Sequence, residues 1–167
     1  MTTDTIEIKL PAPSVAAGSV PLRIKRLDPR AVLPRYQTVG AAGMDLSACL
    51  PEAIASITIE PRQIVKVPLG FAMAVPLGYE AQIRARSGLS STHGLTPVNS
   101  PGTIDSDYRG EVIVPLINHG REPFAITHGM RIAQMVIAPV VQVGVVEVNE
   151  LDETVRGSGG FGSTGKH

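Results

Sequence analysis

Residues 63–76, "QIVKVPLGFAMAVP", form a short apolar run broken by proline and glycine. Its neighbours repeat the character: "SITIE" (56–60), "YEAQIRAR" (79–86), "EVIVPLIN" (111–118), "RIAQMVIAPVV" (131–141) and "VGVVEVNE" (143–150). Runs this short, rich in Val and Ile and bounded by turn residues, are strands rather than helices. Many such strands at regular spacing predict an all-β sandwich, jelly roll or barrel. "VPLG" occurs at 67–70 and at 75–78, which suggests two similar turns rather than a repeat architecture. One helix is expected, a turn or two in "SGLSSTHG" (87–94), with Ser87 near its N-cap and Gly94 as its stop.

The 167 residues fit one domain with a sizeable core. Fifteen basic and fifteen acidic residues cancel, so no global charge surplus points to nucleic acid. No basic start followed by an apolar core suggests a secretory signal, and no apolar run reaches a membrane span. Cys49 is the only cysteine, which suits a reducing compartment. A soluble cytoplasmic protein is expected. Strands are expected to end near residue 151, followed by a mobile Gly/Ser-rich tail, "ETVRGSGGFGSTGKH".

Polar chemistry concentrates in "PGTIDSDYRGEV" (101–112), in a chain with only 18% charged and 4% aromatic residues. A solvated turn or a cation loop fits it, and so does a catalytic carboxylate on a rigid hairpin. In "RARSGLSSTHG", Arg86 offers a planar fork for phosphate oxygens. Ser87 and the amides after it stand where a helix start favours anions. An ordinary capped turn explains the same residues. In "AAGMDLSA" (41–48), Gly43 lets the backbone bend and Asp45 suits a turn. Arg131 and Gln134 fit an outward strand face. The tail's "GFGSTGK" (160–166) imitates a phosphate-binding P-loop, but His167 follows Lys166 where Ser or Thr and then a helix are needed. His93, His119, His128 and His167 show no metal-ligand spacing, and no G-x-S-x-G surrounds a serine.

Taken in order, "AAGMDLSA", "RARSGLSSTHG", "NSPGTIDSDYRGEV", "RIAQMVI" and "RGSGGFGSTG" resemble the five motifs of the trimeric dUTP diphosphatase (dUTPase) family. The resemblance runs from about residue 22 to the C-terminus. It implies a distorted jelly-roll or β-clip barrel with one short helix and a flexible C-terminal arm. The implied division is a variable segment over 1–20, a β domain over 21–151 and an arm over 152–167. It also implies a homotrimer whose active sites are shared between subunits. The implied reaction converts dUTP to dUMP and pyrophosphate with Mg2+, keeping uracil out of DNA and supplying dUMP for thymidylate synthesis. Neither nucleic acid nor membrane is an expected partner.

Carried onto this chain, the resemblance makes Asp105 the general base that orients water against the α-phosphorus. Arg86, Ser87, Gly88 and Gln134 match phosphate contacts, and Asp45 matches the carboxylate that holds the metal through water. Asn99, Thr103, Ile104 and Ile113 match positions around uracil and deoxyribose. Backbone donors and acceptors there would reject cytosine, whose pattern at O4/N4 and N3 is reversed. Tyr108 matches the aromatic under the sugar that leaves no room for a 2′-hydroxyl. In the arm, Phe161 resembles the ring that stacks on uracil. Arg156 resembles the group at the γ-phosphate, and Ser163 and Thr164 would complete a lid. Asp107 and Glu111 match no chemistry and are expected to face solvent or structural partners. Ala85 and Thr92 depart from the Pro and Lys of many relatives, at positions without proposed chemistry. Two rivals share the fold: a non-catalytic nucleotide-binding module, and a dCTP deaminase. The deaminase's catalytic glutamate aligns with Pro115, which cannot transfer protons.

Overall fold

In the computed structural model, which describes residues 20–160, the 63–76 run becomes the longest strand, β5 (Ile64–Ala74). The others are β1 (Arg23–Arg26), β2 (Arg35–Tyr36), β3 (Met44–Ser47), β4 (Ser56–Ile59) and β6 (Tyr79–Arg84). After the helix α1 (Ser87–His93) come β7 (Leu95–Pro97), β8 (Gly102–Ile104), β9 (Glu111–Asn118), β10 (Phe124–Thr127) and β11 (Arg131–Pro139). Every pairing is antiparallel. One sheet runs β1-β5-β9-β7, a second β2-β3-β11-β6-β8, and β10 pairs with β4. The architecture is a jelly-roll-like β fold with a single short helix among the described residues.

The strands form because their side chains sort by face. Along β9, Val112, Val114, Leu116 and Asn118 are buried, while Glu111, Ile113, Pro115 and Ile117 turn outward. Val67, Leu69 and Phe71 of β5 meet Leu46 of β3 and Met135 of β11 in one core. Each such side chain, fully buried, contributes about 1.5–3 kcal/mol. Asn118 is the polar exception. Its amide nitrogen donates to the carbonyls of Ile59 (2.9 Å) and Glu122 (2.8 Å), and its oxygen accepts the Gly120 amide (2.8 Å). All of its polar atoms are met, so its burial is tolerable.

Two expectations change. "VGVVEVNE" forms no strand: the last one ends at Pro139. Val143, Val145, Val146 and Val148 stand exposed, Val145 at 93%. A strand needs a ladder partner, and none of the described strands pairs with this run. The first "VPLG" is a bulge inside β5, not a turn, because the β5–β9 register jumps between Pro68 and Ala72. As expected, Ser87 lies next to the helix N-cap: the cap is Arg86 in extended conformation and Ser87 is the first helical residue. Gly94 does end the helix, at φ 69°. Its carbonyl accepts the His119 amide, and a Cβ at Gly94 would lie 2.5 Å from the Gly120 nitrogen.

Candidate active site

The acidic segment is a corner rather than a hairpin. β8 pairs with β6 in one sheet and β9 with β5 and β7 in the other, so residues 105–110 cross between sheets. The crossing opens a cleft of about 210 Å³ lined by Thr103, Ile104, Asp105, Tyr108, Glu111 and Ile113, among others. Most of the expected base- and sugar-facing positions therefore meet around Asp105. Asn99 is not among the lining residues; it lies in the loop before β8, its side chain against Gly102.

Geometry fixes Tyr108. Its hydroxyl donates to the Glu111 carbonyl at 2.9 Å, and its amide donates to the Asp105 carbonyl at 3.2 Å. A Cβ at Gly110 would lie 2.6 Å from the tyrosine's Cζ, so only glycine leaves the ring its place. Asp105 is exposed and makes no ion pair among the described residues. A second, larger cleft of about 550 Å³ lies on the other side of the corner, between Tyr79–Glu80 and Asp105–Asp107. It contains neither Tyr108 nor Ile113, so the smaller cleft is the better fit to a nucleoside.

The phosphate-type residues assemble elsewhere. Across the second sheet, Arg35, Asp45, Gln134 and Arg84 stand in one row. The Asp45 carboxylate meets Arg86 Nε at 3.2 Å through one oxygen and Arg131 at 2.8 Å through the other. Arg86 also donates to the Arg131 carbonyl at 2.9 Å. One carboxylate between two guanidiniums leaves surplus positive charge beside Ser87 and Gly88, both exposed at the start of α1. Gln134 donates to the Ala85 carbonyl at 2.9 Å, steadying the same turn. A Cβ at Gly43 would come 2.7 Å from Gln134 Oε1. Gly43 thus makes room for that side chain as well as standing at the bend before β3.

Arg131 is the functional-looking residue that sequence reasoning passed over as an outward strand residue. Its pairing with Asp45 spans 86 positions and leaves no local signal. Arg156 folds onto its own turn, donating to the Gly159 carbonyl at 2.8 Å, away from the cleft lining. Phe161, Ser163 and Thr164 lie outside the described residues.

The two groups are separated along β6. Ile104 pairs with Ala81, which puts Asp105 level with Glu80. Arg86 lies six residues further along extended backbone, or about 20 Å away. That exceeds the reach between neighbouring phosphates of one nucleotide.

Among the described residues no group of three or more His, Cys, Asp or Glu could hold a metal. Both Asp45 oxygens are already engaged by arginines. This donor set does not suit a cation caged by protein.

The sheets form a jelly-roll-like β fold with a cleft at the corner between them, and comparison with known proteins identifies its family. A family model described as dUTPase matches residues 30–165. The deoxyuridine 5'-triphosphate nucleotidohydrolase of Rhizobium rhizogenes is 61% identical over 133 residues, 80% of this chain and 85% of that protein. Its counterpart from Desulfotalea psychrophila is 62% identical over 133 residues, 80% of this chain and 87% of that protein. The fold is similar to that of Staphylococcus bacteriophage 80alpha dUTPase with dUPNHPP. The TM-score is 0.74 at 26% identity, covering 88% of this chain and 99% of that one. The chain belongs to the dUTPase family.

Proposed function

We propose that this chain carries out its family's reaction, hydrolysis of dUTP to dUMP and pyrophosphate, with Asp105 as the residue that activates water. The carrying observation is the convergence of Thr103, Ile104, Asp105, Tyr108 and Ile113 on one cleft. Uracil and deoxyribose occupy that cleft against β8 and Ile113, and Asn99 supports the base from the preceding loop. The pinned Tyr108 ring meets the sugar and excludes a 2′-hydroxyl. Asp105, on a corner held by its neighbours, orients a water in line with the α-phosphorus and takes its proton. An ordinary carboxylate is a weak base, so the positioning of the water matters more than basicity.

The triphosphate lies along Arg86, Ser87, Gly88 and Gln134, whose guanidinium and amide groups accept its charge. Asp45 would help hold Mg2+ through coordinated water, and the bound ion would supply neutralisation of phosphate charge. The separation of Asp105 from Arg86 along β6 supports a site shared between copies of the chain. One copy supplies the cleft and another the arginine cluster. The exposed run Val141–Leu151 supports a homotrimer in the same way, since apolar side chains in that number are normally covered. Arg156, with Phe161, Ser163 and Thr164, completes the site as a lid: phenylalanine on the base, arginine at the γ-phosphate.

A reducing, cytoplasmic setting suits the buried free thiol of Cys49, whose pKa is pushed up by burial and then by the nearby Asp28 carboxylate. Among the described residues no helix is long and apolar enough to cross a membrane. Deamination is disfavoured by Pro115, whose carbonyl only serves the Val98 amide at 2.9 Å. The deciding experiment is pyrophosphate release from dUTP, dCTP, dTTP and UTP, with ammonia measured for dCTP. Release from dUTP alone is expected. Ammonia from dCTP, or no turnover of any nucleotide, would overturn the assignment.

A further inference from the structure

Glu111 stands where the corner enters β9, and it makes two different connections. Its Oε1 accepts the backbone N–H of Gly70 at 2.9 Å. Its carbonyl accepts the Tyr108 hydroxyl, also at 2.9 Å.

Gly70 sits in the β5 bulge at φ 71°. There the ladder jumps from Pro68 opposite Ile113 to Ala72 opposite Glu111. Three residues of β5 thus face one of β9, and the ladder offers the Gly70 amide no regular partner. A buried amide without a partner is costly. The Glu111 carboxylate supplies the acceptor. The bulge itself is well anchored. The Gly70 carbonyl accepts the amides of Leu27 (2.8 Å) and Asp28 (3.0 Å). A Cβ at Gly70 would lie 2.6 Å from Cys49 Sγ and 2.9 Å from Ala31 Cβ.

We propose that Glu111 is a positioning residue of the nucleotide site, tying the corner that carries Asp105 and Tyr108 to the fixed β5 bulge. The inference rests on the dUTP reading above. Glu111 touches neither water nor phosphate in this account. Its side chain holds the corner's end in place and its backbone holds the tyrosine, so the height of the ring over the sugar follows from one residue.

The test uses the full chain with Glu111→Ala, Glu111→Gln and Tyr108→Phe, measuring kcat/KM for dUTP and UTP. Loss of one well-placed hydrogen bond predicts that Glu111→Ala lowers the dUTP:UTP ratio by about five- to tenfold. Glu111→Gln keeps an acceptor oxygen and is expected to stay within about twofold of the parent. Tyr108→Phe removes the other connection without disturbing the core, and should lower the ratio as well. An unchanged ratio in folded Glu111→Ala overturns the proposal, as does a Gln variant as damaged as the Ala variant. Should Glu111→Ala not fold, an unchanged ratio in Tyr108→Phe is enough to overturn it. Amide hydrogen exchange at Gly70 gives an independent readout. It should accelerate in the Ala variant and not in the Gln variant; unchanged exchange also overturns the proposal. Exchange does not depend on turnover, so a parent chain inactive on dUTP would refute the functional reading while exchange still decides the role of Glu111.

Discussion

Asp45 holds Arg86 at 3.2 Å, and the same carboxylate holds Arg131 at 2.8 Å through its second oxygen. The Asp45 side chain is only 15% exposed, so this is a sheltered clamp rather than a loose surface pair. Removing its charge lets Arg86 and Arg131 leave the positions in which the proposed triphosphate site holds them. Asp45→Asn is expected to raise the KM for dUTP and lower kcat/KM about tenfold, as for the loss of a charge-assisted contact. Steady-state kinetics at several Mg2+ concentrations check this. The Mg2+ dependence should shift only slightly, because a carboxylate that touches the metal through water is not its main anchor.

Asp105 lines the cleft, with no ion pair among the described residues to disturb. Asp105→Asn keeps the shape and removes the proton acceptor. Turnover of dUTP is expected to fall by roughly 10²–10⁴-fold. Affinity for a non-hydrolysable dUTP analogue, measured by calorimetry, should stay near that of the parent. Undiminished pyrophosphate release would remove Asp105 from the mechanism.

Much of this was legible in the sequence because it is local. The Val/Ile runs at 64–74, 111–118 and 131–139 became strands, and Gly94 stopped the helix, since strand formers and a left-handed cap act over a few residues. The run at 143–150 has the same composition but no partner among the described residues, and composition does not report partners. The meaning of Gly43 was hidden because the atom it accommodates belongs to Gln134, on another strand. Glu111 was anonymous because its partner is the Gly70 amide across a bulge, and bulges leave little trace in a string of residues. The candidate site residues were named from motif order, but their division into two groups appeared only with the register of β6 against β8 and β11.

Acid should loosen the turn before β2 through Asp28. Hydrogen bonds from the Arg30 side chain, and then from its backbone amide, hold the Asp28 carboxyl at about 2, below the ordinary 3.8. A carboxyl whose folded pKa lies below its unfolded one stabilises the fold above the unfolded value, and loses that contribution as pH falls through the folded one. The window here therefore runs from about pH 4 down to about pH 2. Asp28→Asn should melt earlier than the parent at neutral pH, and the difference should shrink toward zero by the lower end of that window. Paired urea melts across the range test this; a gap that persists at the acid end would contradict it.

Asn118 knots three segments at a fully buried position. Asn118→Ala leaves the carbonyls of Ile59 and Glu122 and the Gly120 amide without that partner. The expected loss is about 2–4 kcal/mol of stability, from unmet buried groups. The cleft around Asp105 is lined by other residues, so kcat of the folded fraction should hold. Denaturant unfolding read beside activity separates the two effects.

The separation of Asp105 from Arg86 along β6 makes the strongest demand on the proposed assembly. If each site takes its carboxylate from one copy and its arginine from another, an Asp105→Asn chain and an Arg86→Ala chain are each inactive alone. They can still rescue one another. In an equal mixture assembled from unfolded chains, a site works only when its cleft comes from the Arg86→Ala chain and its arginine cluster from the Asp105→Asn chain. Random assortment in a ring of identical subunits gives about one quarter of sites that combination. Pyrophosphate release from the mixture should therefore approach about a quarter of the parent rate, while a chain carrying both substitutions, mixed with either single variant, gives no such recovery. Failure of the two single variants to rescue each other, with mixed assemblies confirmed by mass, would mean that both residues serve the same copy. The fold would then have to bring them together across the length of β6, against the register observed.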